Sequence, residues 1–180
     1  MRSSRFVWFF AVLLLVSAAS CDRNRSSSQG QGTPDDLDVN DPRKPVQRPT
    51  PTAKVVFRAG KPDAATVLVE IVQKPKDVQQ GLMYRRSMPR NQGMLFLMKR
   101  REVHSFWMRN TLIPLDMIFI DQDMTVVGVV HNTVPMDETS RSVGKPSSFV
   151  LETNAGWAKA NKVGANTRAK FVGVPQRASN

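Results

Sequence analysis

From residue 53 onward the apolar positions fall into short runs of strand length, broken by turn-forming residues. Lys54-Val55-Val56-Phe57 and Thr66-Val67-Leu68-Val69-Glu70-Ile71-Val72 are rich in β-branched residues, and Gly60-Lys61-Pro62-Asp63 separates them, which predicts two strands and a turn. Pro75 suits a first helical turn. Val78 and Leu82 then share one apolar face, so the pattern predicts a short helix from Lys76 to Met83, with the cations Arg85 and Arg86 at its end. Met94-Leu95-Phe96-Leu97-Met98 has no polar relief and predicts a strand buried on both faces.

Lys99 to Glu102 reads as a turn into a further strand, Val103 to Met108. There His104, Phe106 and Met108 would share one face, while Trp107 and Arg109 share the other. Leu115 to Ile120 and Thr125 to Val130 predict a hairpin about Asp121-Gln122-Asp123. Asn132 to Ser147 lacks periodicity and reads as a long lid or rim. Phe149 to Glu152 predicts a last inner strand, Asn154 a cap for a short helix ending at Ala160, and Arg168 to Val174 a closing strand after Gly164. Short strands at near-regular spacing predict one mainly β domain with two short helices, a sandwich or a jelly-roll-like barrel, over residues 53–180.

The N-terminus follows a different pattern. Arg2 and Arg5 precede the apolar run Phe6 to Val16, which closes on Ser17-Ala18-Ala19-Ser20 and then Cys21. This is the layout of an export signal over residues 1–20, and the apolar run is shorter than the ~20 residues a permanent span needs. Ala18-Ala19-Ser20-Cys21 resembles the lipobox of a bacterial lipoprotein, with Cys21 as the lipidation site. As the one Cys of the chain it has no disulfide partner within it. Residues 21–52 are rich in Ser and Pro and poor in apolar residues, which predicts a tether. The expected address is therefore the cell envelope, with the membrane held through an N-terminal lipid, on the periplasmic face in a Gram-negative cell.

Charge changes the picture less than its size suggests. The chain of 180 residues carries a net charge of +11, and from Pro51 onward 19 Lys and Arg stand against 10 Asp and Glu. A basic surface favours anionic neighbours, but the basic residues come in short clusters without a nucleic-acid-binding module, so no nucleic-acid partner is expected. His104 and His131 are the only histidines and lack acidic neighbours at ligand spacing, so neither a metal nor a cofactor is expected. Met83, Met94, Met98, Met108 and Met117 read as core filler.

Gly81-Leu82-Met83, Gly93-Met94-Leu95-Phe96, Phe106-Trp107-Met108-Arg109-Asn110-Thr111 with Pro114-Leu115-Asp116, and Val150-Leu151-Glu152 before Ala155-Gly156 resemble the bacterial and archaeal family catalogued as domain of unknown function 192. The likeness spans Ala65 to Val174. It implies a small, mainly β domain, often exported or membrane-anchored, without an established activity.

The chemistry must then be read from the residues. No Gly-x-Ser-x-Gly elbow or glycine-rich phosphate loop occurs. Trp107, Arg109, Asn110 and Asp116 supply a flat apolar surface, a fork of donors, an amide and an acceptor, the means to hold a polyhydroxylated or anionic small ligand. Arg86 and Glu152 join this set. A binding or interaction module is the reading these residues favour. Two others stand beside it: an enzyme using Asp116 and Glu152 as an acid/base pair on a glycan, and a structural partner of another envelope protein.

Overall fold

A computed structural model describes residues 51–58 and 60–175, so the predicted export signal, Cys21 and the tether as far as position 50 lie outside the described residues. The strands are β1 (Ala53–Phe57), β2 (Ala65–Val72), β3 (Gln92–Val103), β4 (Leu115–Ile120), β5 (Val126–Val130), β6 (Pro146–Asn154) and β7 (Ala169–Val172), with helices α1 (Pro75–Gln80) and α2 (Trp157–Ala160) between them. The domain is mainly β with two short helices, as its alternation pattern predicts. All seven strands form one sheet in the order β5-β4-β6-β3-β2-β1-β7.

The pair β2 and β3 is parallel, because α1 and the segment after it carry the chain back across the sheet; the other pairs are antiparallel. The sheet curls into a half-barrel until its two edges meet. Val126 N–H donates to the Thr167 carbonyl at 2.9 Å and Ala169 N–H to the Met124 carbonyl at 2.8 Å, around a bridge between Thr125 and Arg168. Edge groups that would otherwise be open are thereby paired at that end.

Strands β4 and β6 and the first half of β3 are buried on both faces. Leu95, Ile118, Ile120 and Leu151 point into the curl, where they pack with Val55, Phe57, Val67 and Trp157. Met94, Phe96, Met117, Phe119 and Val150 point outward, under a second cover made by Leu82, Met88, Met108 and Ile113. Each large side chain removed from water in this way contributes ~1.5–3 kcal/mol. The sheet therefore separates two cores.

Three local expectations need correction. Lys99 to Glu102 is not a turn: β3 runs straight through it, and after a register shift between Leu97 and Glu102 pairs Glu102 with Ser147 and Val103 with Pro146. Its polar residues are polar because this half of the strand is exposed. The predicted strand from Val103 to Met108 is instead an irregular segment held at single points. Phe106 exchanges both backbone hydrogen bonds with Arg141, and Met108 N–H donates to the Asp137 carbonyl at 2.8 Å. Its sidedness survives, with His104 and Met108 buried and Trp107 and Arg109 exposed. Asn154 does not cap α2: its amide donates to the carbonyls of Met88 and Pro89, both at 3.1 Å, and Gly156 in the left-handed region (φ +80°) precedes the helix instead.

Asp116 is wholly buried on the inward face of β4. Its carboxylate accepts Asn132 N–H at 3.0 Å and Ala158 N–H at 2.9 Å, so it ties the end of β5 and the first turn of α2 to the sheet. Asp116→Ala leaves both donors without a partner, and at ~1–3 kcal/mol for each orphaned group the domain should lose ~2–6 kcal/mol in chemical denaturation. His131 stands 3.8 Å from the same carboxylate but is half exposed, and His131→Ala should cost less than ~1 kcal/mol. Equal losses in the two variants would contradict the brace.

Candidate functional site

On the outward face the sheet carries a row with two acids in it. The register pairs Glu70 with Met94, Met94 with Glu152, and Glu152 with Met117, so these four side chains share a face across β2, β3, β6 and β4. Strand spacing puts Glu70 and Glu152 ~10 Å apart. Glycine is required beside this row: a Cβ on Gly93 would run into the Glu152 carbonyl, so only Gly lets β3 approach β6 there.

The two carboxyls meet different surroundings. Glu70 is held bidentate by Arg85, at 2.5 and 2.6 Å. Glu152 is only 5% exposed, and among the described residues its carboxyl takes part in no hydrogen bond. Burial pushes it up to about 8, against a weaker opposing pull from the Arg85 charge. The ionisable groups packed around it are thus Arg85 and, through Arg85, Glu70. His104 is engaged elsewhere, its Nε2 lying 3.1 Å from the Arg100 carbonyl. At neutral pH Glu152 is a protonated, unused hydrogen-bond donor.

Glu152 lines a cleft of about 200 Å³ between two strips of the outer cover. One wall is the end of α1 and the turn after it, with Gln79, Gln80 and Met83; the other is the irregular segment, with Ser105, Phe106 and Trp107. Phe106 stands edge-on to Phe96 at 5.2 Å and to Phe119 at 6.2 Å, which fixes the second wall against the sheet. The first wall depends on Gly81 (φ +46°), where a Cβ would meet the Phe96 ring at 3.3 Å. The walls are joined at their rim. Tyr84 N–H donates to the Asn110 carbonyl at 2.8 Å, and the Asn110 amide donates to the Tyr84 hydroxyl at 2.9 Å.

The profile of the family DUF192, described as Uncharacterized ACR, matches residues 55–171. The chain belongs to DUF192. It is also similar to two proteins of known structure. One, from Sinorhizobium meliloti 1021, is described as a candidate transcription regulator; it is 34% identical, with a TM-score of 0.64 over 71% of this chain and 100% of that one. The other, a protein of unknown function from Novosphingobium aromaticivorans DSM 12444, is 31% identical, with a TM-score of 0.61 over 65% of this chain and 83% of that one. The comparison with curated proteins found no match.

The residues expected to act together in this DUF192 domain are distributed unevenly. Trp107 and Glu152 line the cleft. Arg109 lies beside it, its guanidinium 5.6 Å from the centre of the Trp107 ring and 3.8 Å from Glu138. Asn110, at φ +55°, shapes the turn and joins the walls. Arg86 is exposed and does not line the cleft. Asp116 points to the other side of the sheet, because β4 pairs Met117, not Asp116, with Glu152. An acid/base pair of Asp116 and Glu152 is therefore excluded by the alternation of a strand.

Sequence reasoning missed Arg85, Glu70, Ser105 and the glutamines of α1. Arg85 is one of two adjacent arginines, and the sequence carries no signal for which of them turns toward the sheet. Met94, Met108 and Met117 are core as expected, while Met83 and Met98 are half-buried and line the cleft. Among the described residues no group of three or more His, Cys, Asp or Glu side chains could hold a metal ion.

Glu152 makes stability depend on pH with a definite sign. Its carboxyl titrates near the ordinary 4.5 when unfolded and at about 8 when folded. The unfolded chain binds fewer protons between these values, so stability falls as pH rises from one to the other and then levels off. At ~1.4 kcal/mol per pH unit the whole effect is ~3–5 kcal/mol. Glu152→Gln removes the titration, so its melting temperature should exceed that of the parent progressively from pH 5 to 8, with a constant gap above. A gap independent of pH would show that Glu152 ionises freely in the fold.

Proposed function

We propose that this chain is a cell-envelope lipoprotein whose β domain binds a small polyhydroxylated ligand, of glycan type, in the Glu152 cleft. Cys21 would carry the lipid and residues 22–52 the tether. The observation that carries the binding reading is Glu152 itself: a nine-tenths buried carboxyl, unused by the protein, that opens onto a cleft. Natural folds satisfy buried polar groups, so one left over beside a cavity reads as a group kept for a ligand.

The surroundings support the ligand class. Trp107 is 44% exposed and lines the cleft, so it can stack on the apolar face of a sugar ring while protonated Glu152 donates to a hydroxyl oxygen. Gln79, Gln80, Ser105 and Thr111 supply further short-range donors and acceptors. A cation fits less well, because Arg85 and Arg109 already place positive charge nearby. The volume suits one ring and is below the ~300–1,000 Å³ of drug-sized pockets.

The reading is tested by titrating the protein with wall-derived saccharides while following intrinsic fluorescence and melting temperature. Bound ligand should raise the melting temperature, and Trp107→Ala should weaken binding about tenfold, corresponding to ~1.4 kcal/mol. Binding should weaken as pH rises through about 8, the value to which burial moves Glu152, and should lose that dependence in Glu152→Gln, whose amide still donates. Binding that strengthens above this pH would mean a cationic ligand and overturn the glycan reading. The anchor is tested separately: Cys21→Ala should release the chain from the membrane fraction, and undiminished attachment would remove the lipoprotein assignment.

A further inference from the structure

Five large apolar side chains stand in water on the cleft's walls and on the loops joined to them. Tyr84, Trp107, Leu112, Val134 and Met136 are between 42% and 61% exposed, and they account for most of the exposed large hydrophobics among the described residues. They lie on three loop segments tied edge to edge by backbone hydrogen bonds. Tyr84 N–H donates to Asn110, Met136 N–H to the Thr111 carbonyl at 3.0 Å, and Met108 N–H to Asp137. Tyr84, Asn110, Asn132 and Met136 all have positive φ, between +50° and +62°. For residues other than glycine this conformation is held by its surroundings, so the segments are set in place as a unit. Apolar groups gathered this way on one surface mark an interaction site.

Charge identifies the partner. Arg86 and Arg90 are exposed on the segment of Tyr84, and Arg109 beside Trp107. Of the acids on these segments, Asp137 is held by Arg141, and Glu138 lies 3.8 Å from Arg109. The surface is thus apolar with arginines interleaved, and it includes one Trp and one Tyr. That is the composition of a protein surface seated in the headgroup layer of a bilayer, where aromatic rings with polar edges settle and arginines meet anionic lipid. The lipid proposed on Cys21 would keep the domain close to such a surface.

We propose that the rim formed by Tyr84, Trp107, Leu112, Val134 and Met136 docks on the surface of an anionic lipid bilayer, so that the cleft opens at the headgroup layer. Trp107 belongs to both the rim and the cleft, so the test uses rim residues that do not line the cleft.

The test asks which side of the domain faces the bilayer, whatever holds the chain there. The full-length chain with Cys21→Ser is reconstituted into vesicles containing phosphatidylglycerol, with a single fluorescent label on Met136→Cys or on Lys61→Cys. Lys61 lies in the hairpin whose Arg58 is bound to the Asn161 and Lys162 carbonyls beside α2, on the side of the inner core. Headgroup-level nitroxide lipid should quench the Met136 label several-fold more than the Lys61 label. The difference should disappear in pure phosphatidylcholine vesicles, and in the exposed double substitution Leu112→Glu with Val134→Glu.

Equal quenching at the two positions, or stronger quenching at Lys61, would overturn the proposal and leave the rim to a protein partner. Glu152→Gln, which should remove the pH dependence of saccharide binding, should leave the quenching difference unchanged, so the cleft and the docking are read independently.

Discussion

The structure depends on one constraint: β4, β6 and the first half of β3 must be covered on both faces by a chain of modest length. A curled sheet meets the requirement on its concave side almost by itself, since strands across the curl bury one another's side chains, with α2 closing the end. The convex side has no second sheet. Loops and a helix of six residues have to cover it, and they do so with methionine and phenylalanine side chains that adapt to an irregular surface. Irregular cover leaves gaps, and the cleft is the gap between two of its strips.

The same constraint explains the fate of the two acids. On strands buried on both sides, every side chain enters one core or the other, and a shift of one residue changes which. Asp116 enters the inner core, where two backbone N–H groups at a strand end and a helix start await an acceptor. Glu152 enters the outer one, where no donor is provided. The first is a satisfied group that organises the fold. The second is held neutral by its surroundings, and nothing in the fold makes use of it.

How far this could be seen in the sequence follows from where the information lies. Strand-forming runs such as Val67 to Val72 and Leu115 to Ile120 carry their own signal in branched and aromatic residues, so the mainly β character was legible. The path of β3 was not: Lys99 to Glu102 have the composition of a turn, and only pairing with Ser147 and Pro146 shows them to be strand. The cleft was half legible. Trp107 and Glu152 were singled out as odd polar or aromatic groups in apolar runs, but Asp116 was grouped with them because neighbouring strands and their registers cannot be read from one chain. Arg85 escaped because which of two adjacent arginines turns inward is decided by Glu70, fifteen positions earlier on another strand.

A buried acid without a partner lowers stability at neutral pH, and a simple change to glutamine would remove most of that effect. The covering segments show a related pattern, with residues in positive φ at Tyr84, Asn110, Asn132 and Met136 and apolar side chains left in water. Each of these features alone has an ordinary structural account. The two buried acids nevertheless differ: Asp116, on the inner side, is bonded by two backbone N–H groups, while Glu152, on the outer side, opens onto the cleft. Packing alone asks the same of both sides, and positive φ and unpartnered buried polar atoms, Trp157 Nε1 among them, occur on the inner side too. What sets the outer side apart is that its unused acid faces a cleft, as a group kept for something outside the fold would.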